Sequence, residues 1–494
     1  MAAWRFEYSR EPDLPPLAWL ATVDRGVTRV RCGTSVRCTP QGFVEGSWVG
    51  AETLASLPTS TAIFGSGIVA DGDGFVVVPP SHPHERLYLH RPDERGQSWL
   101  VSNSLVWLLV AADLALDPAI AYPSLFTAAS EYVRPPTAEI PTTTRPITAA
   151  VYDNFRLTAD GALVAQTRPT ERPFESYADY SLRIREALAS AIANAPGYEM
   201  AVSLSSGYDS TAVAAIAAPL GCRRALTFAM GTSGRDSGAA SAKRLGMSVE
   251  SFDRLAYLSR DDLPEAEFLA SGMSGEDVVL APMAESLRRT LLLTGSEEFL
   301  LKGSNFRPEL HRGDLSWCSV TEFRLRLDFV HVPLLFLGAT EQPSLTRIIE
   351  SPEMDPYRVS GRYDKPIQRR LAEEAGLPRG SFATVKRRAS GAIHVDGLAA
   401  MSAASVASVR AYAARRGEPL PAQRRPPPRR LIRALSRVAK RLGMEPLADR
   451  LRAQRRSWIH LEPRLGSLLL RWSVDVVRPR YGGSPGMETY DRRR

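Results

Sequence analysis

The chain has 494 residues, 44% hydrophobic and 23% charged, with 35 Gly and 37 Pro, which excludes a disordered or collagen-like protein and leaves room for two domains with large cores. Its four cysteines, Cys32, Cys38, Cys222 and Cys318, include no CxxC pair, so a disulfide scaffold and a zinc ribbon are excluded and a reducing, cytoplasmic setting is predicted. The formal net charge of +8 is unevenly spread: Arg424 to Arg494 carries 19 Lys or Arg against 6 Asp or Glu, and the body before it is mildly acidic, so the basicity is no sign that the main fold binds nucleic acid.

Met1 to Glu7 has no apolar signal-like run, and the longest apolar stretch, Leu105 to Ala112, is far short of a membrane span. Up to about Thr170, short strand-like runs (Ala62 to Val69, Phe75 to Val78, Arg86 to Leu89) alternate with turn signals such as Asp71-Gly72-Asp73-Gly74. A helix is predicted from Ser104 to Leu116. This pattern predicts an α+β domain rich in antiparallel sheet over residues 1–170.

His82, His84 and His90 fall in one short segment. In an extended strand His84 and His90 would share a face about 20 Å apart, too far for one metal ion. Cys32 and Cys38 are expected to be small free thiols.

From Glu171 to Ala193 the spacing turns helical, with Tyr180, Leu182, Ile184 and Leu188 among charged residues. Strand-like and helical segments then alternate: Glu199 to Ser203, Asp209 to Ala218, Ala225 to Met230, Ser237 to Leu245 and Leu291 to Thr294. Alternation of this kind predicts βαβ units around a parallel sheet, so residues 171–416 are expected to form an α/β domain that ends in an Ala-rich helix near Ala400 to Arg416.

The most informative segment is Ala201-Val-Ser-Leu-Ser-Ser-Gly-Tyr-Asp-Ser-Thr211, a strand that runs through small residues directly into a helix. Small residues admit an anion close to the backbone, and a helix start favours phosphate. Ser203, Ser205, Ser206, Gly207 and Ser210 are the candidate phosphate-binding residues, and Asp209 is the candidate Mg²⁺ ligand. No GxxxxGK[ST] occurs, so this is not a Walker A loop.

The segment resembles the PP-loop, S-G-G-x-D-S, of ATP pyrophosphatases, with Ser206 where the family has its first Gly. Three later blocks follow in the order of the asparagine synthetase-like family. Leu226-Thr-Phe-Ala-Met-Gly231 is similar to the strand whose following loop flanks adenine, which brings in Thr227 and Gly231. Leu291-Leu-Leu-Thr-Gly-Ser-Glu-Glu-Phe299 resembles, in shortened form, the loop L-S-G-x-G-x-D-E, which implies nucleotide contact at Gly295, a metal role for Glu297 and a catalytic one for Glu298. Tyr363-Asp-Lys-Pro-Ile-Gln-Arg-Arg370, Gly376-Leu-Pro-Arg379 and Lys386-Arg-Arg388 are similar to the block that ends in a catalytic lysine, here Lys386.

The resemblance covers roughly Tyr177 to Gly391. It implies a parallel-sheet PP-loop domain of the adenine nucleotide alpha hydrolase kind, preceded by an α+β Ntn-glutaminase-like domain. The implied substrates are ATP, with Mg²⁺, and a carboxylate and an amine; the implied chemistry is amide formation through an acyl-adenylate, releasing AMP and pyrophosphate. Glutamine-dependent members use Cys at position 2, and Ala2 stands there in this sequence, so the N-terminal region is expected to be a degenerate glutaminase-like fold and the amine to come from solution or from the substrate itself. Ser206 and the shortened Gly295 loop keep open the alternative of a catalytically silent, nucleotide-binding or scaffold homologue.

Residues 417–494 are predicted to be a Pro/Arg linker and a basic helical tail. Leu431, Ile432, Leu435, Val438 and Leu442 form one apolar stripe, with Arg430, Arg433, Arg437, Lys440 and Arg441 around it. Such a helix suits an anionic membrane surface or docking on the protein's own acidic body. Nucleic acid is disfavoured, because few aromatics are present to stack on bases.

Overall fold

The computed structural model describes residues 4–482 apart from 25, 73, 93–97, 132–136, 159–160, 232–233, 274, 296–316, 360–363, 383–390, 392, 422–428, 443, 446 and 448–461. Three large sheets organise it. The first two lie in the N-terminal region, where short alternating runs give strands with one face toward a shared core.

A seven-stranded sheet runs in the order Arg5–Arg10, Val27–Cys32, Trp19–Asp24, Trp99–Ser102, Leu87–His90, Ile147–Ala150, Thr137–Ile140. Its pairs are antiparallel except the first, which is parallel. A six-stranded antiparallel sheet is ordered Leu163–Gln166, Asn154–Leu157, Gly74–Val78, Ile63–Asp71, Gly42–Trp48, Arg37–Thr39. Trp19, Val30, Phe43, Ile68, Phe75 and Leu89 from the two sheets form one buried cluster. At the pairing of Gly46 with Gly65 the strands approach so closely that a Cβ on Gly46 would lie 2.0 Å from the Phe64 carbonyl oxygen, so only glycine fits.

The third sheet has five strands, all parallel, in the order Ser248–Phe252, Arg224–Phe228, Glu199–Ser203, Thr290–Thr294, Val330–Pro333. The earliest of these strands in the chain lies at the centre, and the order reverses between it and Thr290–Thr294. In open α/β sheets such a switch point leaves a crevice at the carboxyl ends of the strands, where ligands bind. The fold is therefore mixed α/β, with a parallel five-stranded sheet beside antiparallel sheets.

The helix before this sheet, Tyr177–Ala193, starts where the Ser176 side chain accepts the Asp179 N–H, and it buries Tyr177, Tyr180, Ile184, Leu188 and Ala191. Leu182, which the sequence pattern places on the apolar stripe, is instead 57% exposed, because it lies two residues from both Tyr180 and Ile184 and so faces the other way. The helix predicted from Ser104 to Leu116 is shorter, Leu105–Ala111, and gives way to Asp113 with φ 52°. The stretch 417–494 is not uniform: the helix Pro463–Val477 buries Leu465, Leu468, Leu469 and Trp472 in the core, and Tyr481 stacks on Trp107. Among the described residues no helix is long and apolar enough to cross a membrane.

A buried ion cluster staples the N-terminal sheets to the rest. Arg324, on the helix Thr321–Leu327, pairs with Glu45 at 2.8 Å and Glu85 at 2.8 Å, and all three side chains are at most 3% exposed.

Candidate functional site

The switch point is built by two loops. The central strand ends at Ser203, and the chain turns through Leu204 to Gly207 into the helix Tyr208–Ala217. The adjacent strand ends at Thr294, followed by Gly295. A Cβ on Gly295 would lie 2.5 Å from the Asp209 carbonyl carbon and 2.6 Å from the Ser210 amide nitrogen; the two loops touch backbone to backbone, and glycine is required by space.

Within the first loop the hydroxyls hold its shape. Ser205 and Ser210 share a hydrogen bond at 2.9 Å, and the Ser205 Oγ accepts the Gly207 N–H at 3.1 Å. The Thr211 hydroxyl donates to the Gly207 carbonyl at 2.7 Å. Ser206 donates its hydroxyl to the buried Asp236 carboxylate at 2.7 Å. Neither Ser206 nor Gly207 takes a left-handed conformation, Gly207 standing at φ −82°, so the Cβ that Ser206 adds to this loop causes no backbone strain.

Asp209 opens the helix, and its carboxylate is already engaged. Lys365 donates its ammonium to Oδ1 and Oδ2, each at 2.6 Å, and Gln368 Nε2 donates to Oδ1 at 3.1 Å. The Lys365 side chain is 1% exposed and that of Asp209 21%, so the pair is sealed at the cation and open at the carboxylate. Pro366 pre-sets the first turn of the helix Pro366–Glu374, which carries Gln368 and Arg369 to the same place. The Arg369 guanidinium lies 4.9 Å over the Tyr208 ring and donates to its hydroxyl.

The surroundings add unsatisfied polar groups. Gln368 Oε1, Arg369 Nε and the Tyr180 hydroxyl are buried with no hydrogen-bond partner among the described residues. Burial first, and the charge of Asp209 second, hold the Tyr180 phenol above its ordinary pKa.

The structure thus brings together Ser203, Ser205, Ser206, Gly207, Asp209, Ser210 and Gly295. Thr227 and Gly231 belong to the neighbouring strand end: Ser203 pairs with Leu226, Thr227 accepts the Gly238 N–H at 3.0 Å, and Gly231 closes a two-residue ladder with Gly234. Thr227 is spent on a helix start and is buried. Lys386, Glu297 and Glu298 lie outside the described residues.

Sequence reasoning did not single out Lys365, Gln368 or Arg369. A lysine immediately before a helix-opening proline, with polar residues one turn on, is the only local signal. His84 does not meet His90: His82, His84 and His331 cluster with ring centroids 5.0 to 5.9 Å apart, while His90 pairs with the Pro146 carbonyl. Cys32 and Cys38 are free but adjacent, with sulfurs 3.8 Å apart. Among the described residues no group of three His, Cys, Asp or Glu is placed to hold a metal ion. Neither models of known protein families nor curated proteins match the chain.

Proposed function

We propose that the chain is an ATP-dependent amide ligase of the asparagine synthetase-like kind, forming AMP and pyrophosphate, with a PP-loop at residues 203–210 and without glutamine hydrolysis of its own. The observation that carries this reading is the meeting of the small-residue loop, the start of the helix Tyr208–Ala217 and Gly295 at the switch point of a parallel sheet. The sandwich of sheets before it accords with a glutaminase-like ancestry in which Ala2 replaces the nucleophile.

Phosphate suits the described residues better than a divalent metal. The start of the helix Tyr208–Ala217 favours an anion, and Lys365 supplies a buried cation at the loop, whereas the Ser205, Ser206 and Gly207 N–H groups already donate to Ser210, Asp236 and Ser205. Asp209 would take up Mg²⁺ with the nucleotide only by releasing Lys365, which would then stand free to face the phosphate charge. The residues position rather than react: Gly295 fixes the two loops against each other, Gln368 holds the Asp209 carboxylate, Arg369 packs over Tyr208, and the carboxylate and amine would be joined in line with the held nucleotide. The catalytic lysine in this reading is Lys386, with Glu298 beside the reacting groups and Glu297 as a second metal ligand.

A second reading, a silent nucleotide-binding or scaffold homologue, is favoured by one observation. Both Asp209 oxygens and the loop hydroxyls already have protein partners.

Calorimetric titration with Mg²⁺ and α,β-methylene-ATP tests the ligase reading, beside Asp209→Asn. Binding that the variant loses is expected and would justify screening carboxylates for ATP-dependent pyrophosphate release. No heat of binding from folded protein would sink the nucleotide site; binding without any carboxylate-dependent pyrophosphate release would favour the silent homologue.

A further inference from the structure

A surface helix ordinarily turns its apolar stripe inward; the helix Arg429–Arg441 leaves part of its stripe at the surface. Leu435 is 47% exposed, Val438 51%, and Leu442, just past the helix, 69%. The buried residues here are Ser436 and Ala439. On a helical wheel Ala439 lies at the edge of the apolar arc and Ser436 beyond it, toward the basic residues. The helix therefore turns this side inward and leaves Leu435 and Val438 at the surface, with Arg437 and Arg441 exposed beside them.

Leu435, Val438 and Leu442 are not docked on the protein's own body, one of the two roles such a helix could serve. The charge around it selects among other occupants. Residues 424–494 carry 19 basic against 6 acidic side chains, and pairing with a second copy would set these basic arcs beside each other. An anionic surface is complementary to both arcs at once: acyl chains accept Leu435, Val438 and Leu442, and head-group phosphates accept the arginines.

We propose that the helix Arg429–Arg441 holds the protein on an anionic lipid surface, with Leu435, Val438 and Leu442 inserted among the lipids and its arginines on the head groups. The protein thereby works at a membrane face.

The test is co-sedimentation of the full chain with vesicles of phosphatidylglycerol and phosphatidylcholine, beside vesicles of phosphatidylcholine alone. The protein is expected to pellet with the anionic vesicles only, and added salt should weaken binding. Replacing Leu435, Val438 and Leu442 by Ser should lower partitioning about tenfold or more, and Arg437→Gln with Arg441→Gln should lower it on anionic vesicles by a similar factor. The apolar residues substituted are exposed, so far-UV circular dichroism and the thermal midpoint should stay unchanged. Folded wild-type protein that ignores anionic vesicles overturns the proposal, as does the serine variant binding as the wild type does. A wild-type dimer that the serine variant converts to monomer, without lipid binding by either, would overturn it in favour of a second copy of the chain.

Discussion

Two ion clusters join distant parts of this chain, and they differ in where they open. In the first, Arg324 bridges Glu45 and Glu85, and every side chain in it is closed to solvent. In the second, Lys365 is as deeply buried, but the carboxylate it holds, Asp209, keeps 21% of its surface. A cluster sealed on all sides can fix only the relation of two elements. One that is sealed at the cation and open at the anion can exchange its partner for a ligand. The two cations are equally buried; the open carboxylate is the difference between the clusters.

The largest effect expected from this contrast is on stability. Arg324→Met strands two buried carboxylates, and loss of one partner from such a cluster costs about 3–5 kcal/mol, read as a lower urea midpoint with an unchanged slope. Nucleotide affinity per folded molecule should not change. A variant with normal stability would break the comparison at its structural end.

Next in size is Lys365→Met, which leaves Asp209 open to water. It should lower affinity for the ATP analogue about 100-fold, the size expected for a lost charge-assisted contact, while the urea midpoint moves far less than in Arg324→Met. Unchanged affinity would show that Lys365 is a structural partner like Arg324.

The sealed cluster also sets a pH dependence. Burial foremost, and then Glu45 against the pull of Arg324, leaves the Glu85 carboxyl up at about 7, above its ordinary 4.5. Because the folded pKa is the higher one, the stability linked to Glu85 is fully present below pH 4.5 and is lost as pH rises through about 7. Glu85→Gln, which still accepts from Arg324, should therefore flatten the fall in thermal midpoint across this window. A wild-type midpoint that rises across it instead would show that Arg324 dominates and that the sign is wrong.

The local patterns in the sequence are enough for the strands Glu199–Ser203, Arg224–Phe228 and Thr290–Thr294 and for the turn into the helix at Tyr208, but not for the outer strands Ser248–Phe252 and Val330–Pro333. The residues' own pattern singles out Ser205, Gly207 and Asp209, whereas Gly295 beside them is singled out only by the resemblance of its loop to a family motif. Lys365 was hidden because its partner Asp209 lies 156 residues earlier. A still greater separation, 279 residues, hid Arg324 and Glu45. Leu182 was misplaced for another reason: a single apolar residue on the outer face reads as part of the stripe unless the helical phase is set by the cluster of Tyr180, Ile184 and Leu188.

The smallest effect sharpens the open end. Ser206 stands where the PP-loop motif that this loop resembles has glycine, and its hydroxyl donates to Asp236 at 2.7 Å. Removing that bond should cost about 1 kcal/mol, with about 0.5–1 kcal/mol more because glycine has greater freedom in the unfolded chain. The backbone there is already in a conformation that any residue adopts, so Ser206→Gly has no strain to relieve. Affinity for the ATP analogue should change by less than about threefold, as expected where only an indirect contact is lost. A much larger gain in affinity would mean that the serine narrows the proposed phosphate site.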